Sequence, residues 1–520
     1  MTDRQTPCNG AESLVQTLLD CGVDTCFANP GTSEMHFVAA LDRMPGMRCV
    51  LGLFEGVVTG AADGYARIAG KPAATLLHCG PGLANGLANL HNAYRAHTPV
   101  VNIIGDQATY HRPYDAPLTA DTEGWARPLS VWTRTVDCAQ AVGASAALAV
   151  QAASSAPGGV ASLILPSDVC WDNGGQVAAP LPVPAAAKVS PTVIAQMAQV
   201  LRSGQPTLLL LAGRALEHDA LASAHGIKAA TDARLLSTTA NARVARGRGR
   251  FAVERLPYFG DAARAKLAGI ANIILVGTPV PSTFFAYPGK SSRPYPDEAV
   301  VHVLARPEQD LADALARLAE ALDAPVVQPS LAAAGNPAPG SGAISSQAVA
   351  QSLNALLPEQ AIVVDESVTF GQAFYPATVN AAPHDWLQVT GGAIGGGLPM
   401  ALGAAIAAPQ RRVIALQADG SGMYTPQALW SMARERLDVT VVILANRKYA
   451  ILQLELASVG ASSGKTALDM LDIGNPDLDW VQLATGMGVA ADRAQTMERF
   501  NELFAMANRQ PGPFLIELVV

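Results

Sequence analysis

Near the end of the chain, short apolar runs alternate with a helical pattern. The runs RRVIALQA at 411–418 and VTVVILA at 439–445 are continuous and short, which is typical of buried strands in a parallel sheet. Between them, PQALWSMARER at 426–436 has the spacing of an amphipathic helix. The pattern therefore predicts a strand–helix–strand unit whose two strands end at the same edge of a sheet.

Polar residues follow both strands at that edge. The turn Asp419-Gly420-Ser421-Gly422 comes directly after the first strand, and Asn446 comes directly after the second. A carboxylate and a carboxamide beside a glycine turn are hard oxygen ligands, suited to a Mg²⁺ ion that carries a diphosphate. The alternative is a surface turn and an unrelated asparagine at the next strand end.

The same alternation of strands and helices fills three blocks of the chain. Two linkers rich in proline, alanine and glycine, at 173–188 and 326–345, separate residues 1–172, 190–325 and 346–520. We therefore expect an α/β protein of three domains, each a doubly wound parallel sheet. The middle block has strand runs at 207–213 and 272–277 but no GxGxxG motif, and it is predicted to support the other two.

The first and last blocks share a layout. Each has a helix of small residues (56–70 and 396–408), then a strand (72–78 and 412–418), then a glycine turn (79–82 and 419–422). In open α/β sheets, ligands bind beyond the carboxyl ends of the strands, where these turns lie. The shared layout indicates an ancient duplication; the alternative is chance similarity between segments rich in alanine and glycine.

Composition narrows the function further. A formal net charge of −8 and a pI near 5.6 argue against nucleic acid as a partner. The basic segment ARVARGRGR at 242–250 is interpreted as a solvated loop, with an anion contact as the alternative. Seven cysteines without a CxxC pair indicate a reducing compartment and make disulfides or structural zinc unexpected. With no signal-peptide core and no membrane-length apolar run, we expect a soluble cytoplasmic protein.

Glu55 is the clearest candidate in the first block. It closes the apolar stretch CVLGLF at 49–54 and opens the small-residue helix. A carboxylate is costly to bury there unless it is paired or used in chemistry. Taken alone, it could equally be an acid that stabilises the amino end of a helix.

The surrounding motifs resemble a known family. The segment from Asn29 to Glu34, Glu55 with GAADGYAR, and His78-Cys79-Gly80-Pro81-Gly82 with Asn85 are similar to the pyrimidine-binding domain of thiamine diphosphate enzymes. The segment 419–446 resembles the diphosphate-binding domain of the same enzymes. The resemblance spans essentially the whole chain and is strongest to acetolactate synthase large-subunit-like proteins, within the branch that includes benzoylformate decarboxylase and pyruvate oxidase.

The resemblance implies a role for each matching residue. Glu55 would hydrogen-bond the aminopyrimidine ring and promote activation of the thiazolium carbon, and the protein would position and tune a cofactor that carries the chemistry. Asp419, Asn446 and the carbonyl of Lys448 would bind Mg²⁺. Other cofactor contacts implied by the family are Pro30, Gly31, Thr32, Asn85, Ile394, Gly420, Ser421 and Tyr449. Ile394 would support the bent arrangement of the two rings; simple core packing would be compatible with that role.

Two small departures from the family pattern occur at the metal site. Ala418 replaces the first glycine of the usual Gly-Asp-Gly, and Ala445 replaces the first asparagine of an Asn-Asn pair. Both leave the predicted ligands Asp419 and Asn446 in place. Arg447 and Lys448 then add positive charge near the diphosphate.

The reaction depends on what happens after a 2-oxo acid loses CO₂: protonation, addition to an aldehyde or ketone acceptor, or oxidation. His78 matches a proton-transferring histidine of benzoylformate decarboxylase, with a purely structural histidine as the alternative, and Thr32 matches its substrate-binding serine. That enzyme's second histidine would fall at 281–287, where this chain has Phe284 and Phe285. The loop 107–121 is predicted to line the same pocket. We therefore predict decarboxylation with or without carboligation, as in acetolactate synthase-like enzymes.

Three alternatives stay open at this point. They are a simple 2-oxo-acid decarboxylase, an FAD-dependent oxidase, and a non-catalytic protein that binds thiamine diphosphate; FAD is not expected, because the middle block carries no firm FAD signature. The family also implies that Glu55 and Asp419 act across two subunits, so we expect a homodimer or homotetramer with active sites at the interface.

Overall fold

The computed structural model describes residues 9–329 and 337–520. The predicted linker at 326–345 therefore lies partly outside the described residues. Three sheets are built from parallel strands, so the predicted α/β fold class is confirmed. Within the described residues, no helix combines the length and apolarity needed to cross a bilayer, and six described cysteines are free: Cys21, Cys26, Cys49, Cys79, Cys138 and Cys170.

The first sheet has six parallel strands in the order β2-β1-β3-β4-β6-β5. Its strands are β1 Thr25–Asn29, β2 Arg48–Leu51, β3 Ala73–Leu77, β4 Val100–Asp106, β5 Trp132–Thr135 and β6 Val160–Pro166. The helices around it are α1 Gly10–Asp20, α2 Met35–Arg43, α3 Glu55–Ala69, α4 Cys79–Arg95, α5 Thr122–Ala126, α6 Val142–Ser154 and α7 Ser167–Trp171. Strands β3, β4 and β6 are buried throughout, which is why their sequences read as unbroken apolar runs.

The second sheet has five parallel strands in the order β10-β8-β7-β11-β12. Its strands are β7 Thr207–Leu211, β8 Arg234–Ser237, β10 Glu254–Arg255, β11 Asn272–Val276 and β12 Val300–Ala305. Its helices are α8 Pro191–Arg202, α9 His218–Thr231, α10 Gly260–Leu267 and α11 Leu311–Ala321. Residues 174–186, which lead into this sheet, form neither helix nor strand, as expected for a segment rich in proline and glycine.

The third sheet has seven strands in the order β17-β18-β16-β15-β13-β14-β9. Its strands are β9 Val244–Arg246, β13 Ile362–Glu366, β14 His384–Gln388, β15 Val413–Ala418, β16 Val439–Ala445, β17 Ala490–Ala494 and β18 Phe514–Val519. Its helices are α12 Ser346–Leu356, α13 Phe374–Ala377, α14 Gly397–Ala407, α15 Asp419–Gly422, α16 Ala428–Arg434, α17 Ala450–Ser458, α18 Lys465–Asp469, α19 Trp480–Gly486 and α20 Met497–Ala507. All pairs are parallel except β9 with β14, which is antiparallel.

The basic segment 242–250 is not a solvated loop, and that interpretation was wrong. Its residues Val244–Arg246 form β9, which pairs with β14 at the edge of the third sheet. The guanidinium of Arg246 is buried 3.4 Å from the centre of the Tyr375 ring. Arg243 makes an ion pair with the buried Asp385 at 3.2 Å. The positive charges therefore tie the middle block to the third sheet.

The two small-residue helices, α3 and α14, pack directly on one another. A Cβ atom built on Gly403 would lie 1.8 Å from the backbone oxygen of Ala61, and one on Gly64 would lie 2.1 Å from that of Met400. Because only glycine leaves room for backbones this close, the small residues of both helices serve the contact between the first and last blocks.

Candidate active site

Asp419 and Asn446 lie at the same edge of the third sheet, as the sequence predicts. Strands β15 and β16 are hydrogen-bonded neighbours with Ala418 opposite Leu444. Asp419 is buried; its Oδ2 accepts a hydrogen bond from the Arg447 amide at 2.6 Å, and its Oδ1 accepts one from Gly420 at 2.9 Å. The oxygen Oδ1 of Asn446 accepts from the Lys448 amide at 3.1 Å. The side chains of Asp419 and Asn446 therefore both accept hydrogen bonds from backbone amides at 447–448.

An open pocket of about 430 Å³ adjoins this edge. It is lined by seven of the predicted residues: Ile394, Asp419, Gly420, Ser421, Asn446, Lys448 and Tyr449. A second wall of the pocket, Ser367–Phe370, was not predicted from the sequence; within it, Val368 has a φ of 48°. A β-branched residue in the left-handed region is a true outlier, and such strain is found mostly at functional sites.

The chemistry of the pocket suits a metal–diphosphate group. Burial raises the pKa of Asp419, although backbone amides of Arg447 and Gly420 act in the opposite direction. A divalent cation would stabilise the ionised carboxylate that burial disfavours. A Cβ on Gly420 would lie 2.6 Å from the Tyr449 ring, so only glycine allows the aromatic ring to cover this turn. The residues present therefore fit Mg²⁺ and a diphosphate.

Glu366, which the sequence analysis did not single out, links two walls of this pocket. Its carboxylate accepts hydrogen bonds from the amides of Gly395 and Gly397, both at 2.7 Å. It also accepts one from Nε2 of Gln417 at 3.0 Å, and Gln417 contacts Ser421 Oγ at 2.6 Å. Burial raises the pKa of Glu366, which these hydrogen bonds oppose. An acid within the apolar run AIVVDE was the signal that could have revealed it.

Glu55 and Asn85 form a second group in the first block. Glu55 is the first residue of α3, as predicted, and is buried. Its Oε2 accepts a hydrogen bond from Nδ2 of Asn85 at 3.0 Å. A Cβ on Gly82 would lie 3.1 Å from Oε1 of Glu55, so the chain of α4 passes close to this carboxylate. Because Asn85 donates to Oε2, the other carboxylate oxygen of Glu55, Oε1, can accept a further hydrogen bond.

His78 lies at the end of β3 in a polar cluster. Its Nδ1 is 2.9 Å from Oε2 of Glu34 and 3.1 Å from Oγ of Ser33. Glu34 is buried and also accepts from the Gly31 amide at 2.7 Å, and a Cβ on Gly31 would lie 2.3 Å from the imidazole ring. A carboxylate on Nδ1 favours the tautomer that leaves Nε2 as the free acceptor. The family motif contained Ser33 and Glu34, but their contact with His78 spans more than forty residues and was missed.

The remaining predicted residues of the first block lie beside this cluster. Pro30 and Gly31 follow β1, and Thr32 is exposed at the start of a 3₁₀ turn, Thr32–Glu34. The chain after β3 turns at Cys79, whose φ is 53°, and α4 starts there, so the predicted glycine turn at 79–82 is helical instead. The predicted turn at 419–422 is likewise a short helix, α15. Ala120 of the predicted pocket loop packs on Gly80.

Among the described residues, the lining of the pocket at Asp419 includes no residue of the first block. Every residue lining the pocket at Asp419 lies between Ser367 and Ile451, whereas Glu55, His78 and Asn85 belong to the first block. We call each group a half-site, because the sequence predicts that the two groups form one site together.

Comparison with known proteins identifies the class. Residues 8–125 match the family model described as "Thiamine pyrophosphate enzyme, N-terminal TPP binding domain", and residues 370–518 match its C-terminal counterpart. The chain belongs to the thiamine diphosphate-dependent enzymes, and the predicted family and cofactor class are confirmed. The first segment contains Glu55, His78 and Asn85, and the second contains Ile394, Asp419 and Asn446. The pocket residues Ser367–Thr369 lie just before the second segment.

Three relatives place the chain within that family. It is 53% identical, over 98% of its length and 99% of the relative, to a Mycobacterium tuberculosis protein named "Putative acetolactate synthase large subunit IlvX". It is 32% identical to "Benzoylformate decarboxylase" of Pseudomonas aeruginosa over 96% of each chain. The solved "thiamine diphosphate-dependent 4-hydroxybenzoylformate decarboxylase" of Rhodococcus jostii has a TM-score of 0.83 at 27% identity and covers 98% of each chain.

Proposed function

We propose that this protein is a thiamine diphosphate- and Mg²⁺-dependent enzyme that decarboxylates 2-oxo acids and joins the product to an aldehyde or ketone acceptor. The observation that carries the proposal is the pairing of a buried metal-type carboxylate, Asp419, with Ile394 in one pocket. When bound, the cofactor supplies an electron sink for the charge left behind when CO₂ departs.

The pocket of the last block would hold the diphosphate end of the cofactor. Asp419, Asn446 and the Lys448 carbonyl would bind the cation, and the backbone at Gly420 and Ser421 would face the phosphate oxygens. Glu366 keeps the Gly395–Gly397 loop fixed relative to Gln417, so Ile394 is held at a set distance from the metal ligands. Such rigidity preorganises the pocket.

Glu55 would hold a proton at the aminopyrimidine ring. Asn85 occupies one carboxylate oxygen, which fixes the orientation of the side chain and leaves the other oxygen to face the ring. His78 would move protons to or from the substrate through Nε2, because Glu34 binds Nδ1.

Since no first-block residue of the same chain lines the pocket at Asp419, we infer that the complete site forms between two copies of the chain. The first block of one copy would meet the last block of the other, in a homodimer or a dimer of dimers. Sedimentation of the active protein tests this; an active monomer would contradict it.

Phe284 favours carboligation over simple protonation. A Cβ on Gly392 would lie 2.6 Å from the tip of the Phe284 ring, so this ring covers the loop that leads to Ile394. Tyr258 and Phe285 lie beside it, with ring centres at 5.2 Å and 4.9 Å. An aromatic face cannot donate a proton, so an acceptor carbonyl competes better for the reactive carbon. The alternative, a simple decarboxylase, is favoured by the His78–Glu34 pair.

One experiment separates the two reactions. The purified protein, supplied with thiamine diphosphate and Mg²⁺, is given pyruvate and a panel of branched and aromatic 2-oxo acids, with and without acceptor aldehydes. Mass spectrometry then measures CO₂ and each organic product. A coupled hydroxyketone as the main product supports the proposal, an aldehyde alone supports the alternative, and no CO₂ from any acid contradicts both.

A further inference from the structure

Glu34, His78 and Cys79 form a cluster that could ligate a metal ion. One ligand atom from each residue, a carboxylate oxygen, Nδ1 or Nε2, and Sγ, lies within 4.8 Å of the other two. Glu34 and Cys79 are buried, whereas 24% of the His78 side chain is exposed, which leaves an entry path. Carboxylate, imidazole and thiolate together are a ligand set that suits borderline transition metals and does not suit Mg²⁺.

Ser33 shows how closely the three groups converge. Its Oγ lies 2.7 Å from Oε1 of Glu34, 3.1 Å from Nδ1 of His78 and 3.1 Å from Sγ of Cys79. One hydroxyl therefore touches all three potential ligands. Small shifts of these side chains would make room for an ion among them, with Ser33 or water at the fourth position.

The backbone also fits this arrangement. Cys79 has a φ of 53°, an uncommon conformation for a residue other than glycine. A Cβ on Gly105 would lie 1.6 Å from Oε1 of Glu34, so only glycine admits the carboxylate at this place. The Gly31 amide, which donates to Oε2 of Glu34 at 2.7 Å, supplies the outer hydrogen bond that commonly supports a metal ligand.

We propose that Glu34, His78 and Cys79 bind Zn²⁺ or a similar transition metal, at a site separate from the Mg²⁺ ligands, and that this ion inhibits the enzyme. Burial raises the pKa of the Cys79 thiol to about 11, a rise that the Ser33 hydrogen bond opposes, so the metal-free residue is a thiol. On binding, the sulfur–metal bond forms and the thiol proton leaves to solvent. The ion would also take the His78–Glu34 pair out of proton transfer.

The inhibition rests on the proposed function, but binding does not, so the two are tested separately. Full-length protein is titrated with Co²⁺, a spectroscopic stand-in for Zn²⁺. The expected result is one equivalent per chain with a near-ultraviolet thiolate-to-cobalt absorption band. Cys79→Ser should abolish the band, and Glu34→Gln should weaken binding at least about tenfold.

Matched variants exclude other sites. Cys26→Ser tests whether the paired thiols of Cys26 and Cys49 hold the ion, and it should leave the band unchanged. Asp419→Ala tests the oxygen-rich pocket in the same way and should also leave the band unchanged. A band that survives in Cys79→Ser, or is lost in Cys26→Ser, would overturn the site. If Cys79→Ser does not fold, Cys79→Gly, which suits the left-handed backbone, replaces it with the same expected loss of the band.

The inhibition arm uses the enzyme saturated with thiamine diphosphate and Mg²⁺. Added Zn²⁺ should stop turnover, and a chelator should restore it. If Co²⁺ binds as expected but Zn²⁺ leaves turnover unchanged, the inhibitory role is wrong while the site stands. A chain with no activity on any 2-oxo acid would contradict the proposed function and leave the binding result intact.

Discussion

The two half-sites are built at equivalent places in two similar sheets, yet they carry different groups. In the last block, the chain leaves β15 through Asp419 and Gly420, and the edge offers oxygen ligands and backbone amides. In the first block, the chain leaves β3 through His78 and Cys79 beside Glu34 and Glu55, all of which can carry a proton. Under the proposed function, the same strand-and-turn layout would anchor the cofactor in the last block and handle its protons in the first.

The largest expected effect comes from the half-site at Asp419, which is proposed to anchor the cofactor. Asp419→Ala removes the buried carboxylate from the pocket, so thiamine diphosphate and Mg²⁺ should both bind at least about 100-fold more weakly, with turnover falling accordingly. Isothermal titration calorimetry of both ligands measures this. Asp297→Ala, at a carboxylate that is 80% exposed, is the control. Unchanged binding in Asp419→Ala would break the assignment of anchoring to this half.

Glu55→Gln tests the half-site of the first block, which is proposed to handle protons. Gln keeps the size of the side chain and a hydrogen bond to Asn85 but cannot exchange a proton, so turnover should fall about 10²–10⁴-fold. Cofactor affinity should change little, which is the opposite of the Asp419 result. Calorimetry and steady-state kinetics on the same preparation provide the contrast; full turnover would refute the role of Glu55.

Glu366→Ala should destabilise the pocket at Asp419 and leave the residues around Glu55 unchanged. The change leaves the amides of Gly395 and Gly397 without their buried acceptor, at a cost of about 1–3 kcal/mol for each group. Chemical denaturation should report a loss of about 2–6 kcal/mol. Glu359→Ala, at an exposed glutamate of the same block, is the control and should be near neutral.

Gly403→Ala tests the contact that joins the two blocks within one chain. The added methyl meets the backbone oxygen of Ala61, so the helices α3 and α14 must separate, at an expected cost of about 1–3 kcal/mol in the free energy of unfolding. Gly486→Ala adds the same methyl at a helical position where no atom lies within 4 Å, so this variant should not destabilise the protein. Equal stability of the two variants would show that the close approach is unimportant.

Phe284→His should have the smallest effect, which is a change in the ratio of protonated to coupled product. A histidine beside the Ile394 loop would offer a general acid, so the ratio of protonated to coupled product should rise by about tenfold. Phe285→His, at the adjacent and equally exposed ring, is the matched control. A ratio that shifts equally in both variants would mean that Phe284 has no special position.

The sequence predicted local features well. The strand at 439–445 has the bounds predicted for it, and the small-residue helix at 56–70 is observed as α3, Glu55–Ala69, because both follow from patterns within a few turns of chain. Features that depend on distant partners were missed. Glu34 pairs with His78 across the sheet, Glu366 binds a loop some thirty residues away, and β9 joins a sheet whose other strands begin more than one hundred residues later.

The roles of the site residues and the domain boundaries remain predictions. The sequence could place Asp419 and Asn446 at one edge, because strand ends in a parallel unit are geometrically fixed. It could not show that the chain turns at Cys79 after β3 and goes straight into α4, because the preference of a single residue for the left-handed region depends on its surroundings.

The strand β9 has a consequence for solubility. Without it, β14 would present a row of unpaired backbone groups, a surface on which strands from other chains can add. The middle block covers that edge with three residues and fixes them there through Arg246, which lies against Tyr375 and Trp386. A segment that contributes none of the predicted cofactor contacts thus protects the cofactor-binding sheet from aggregation.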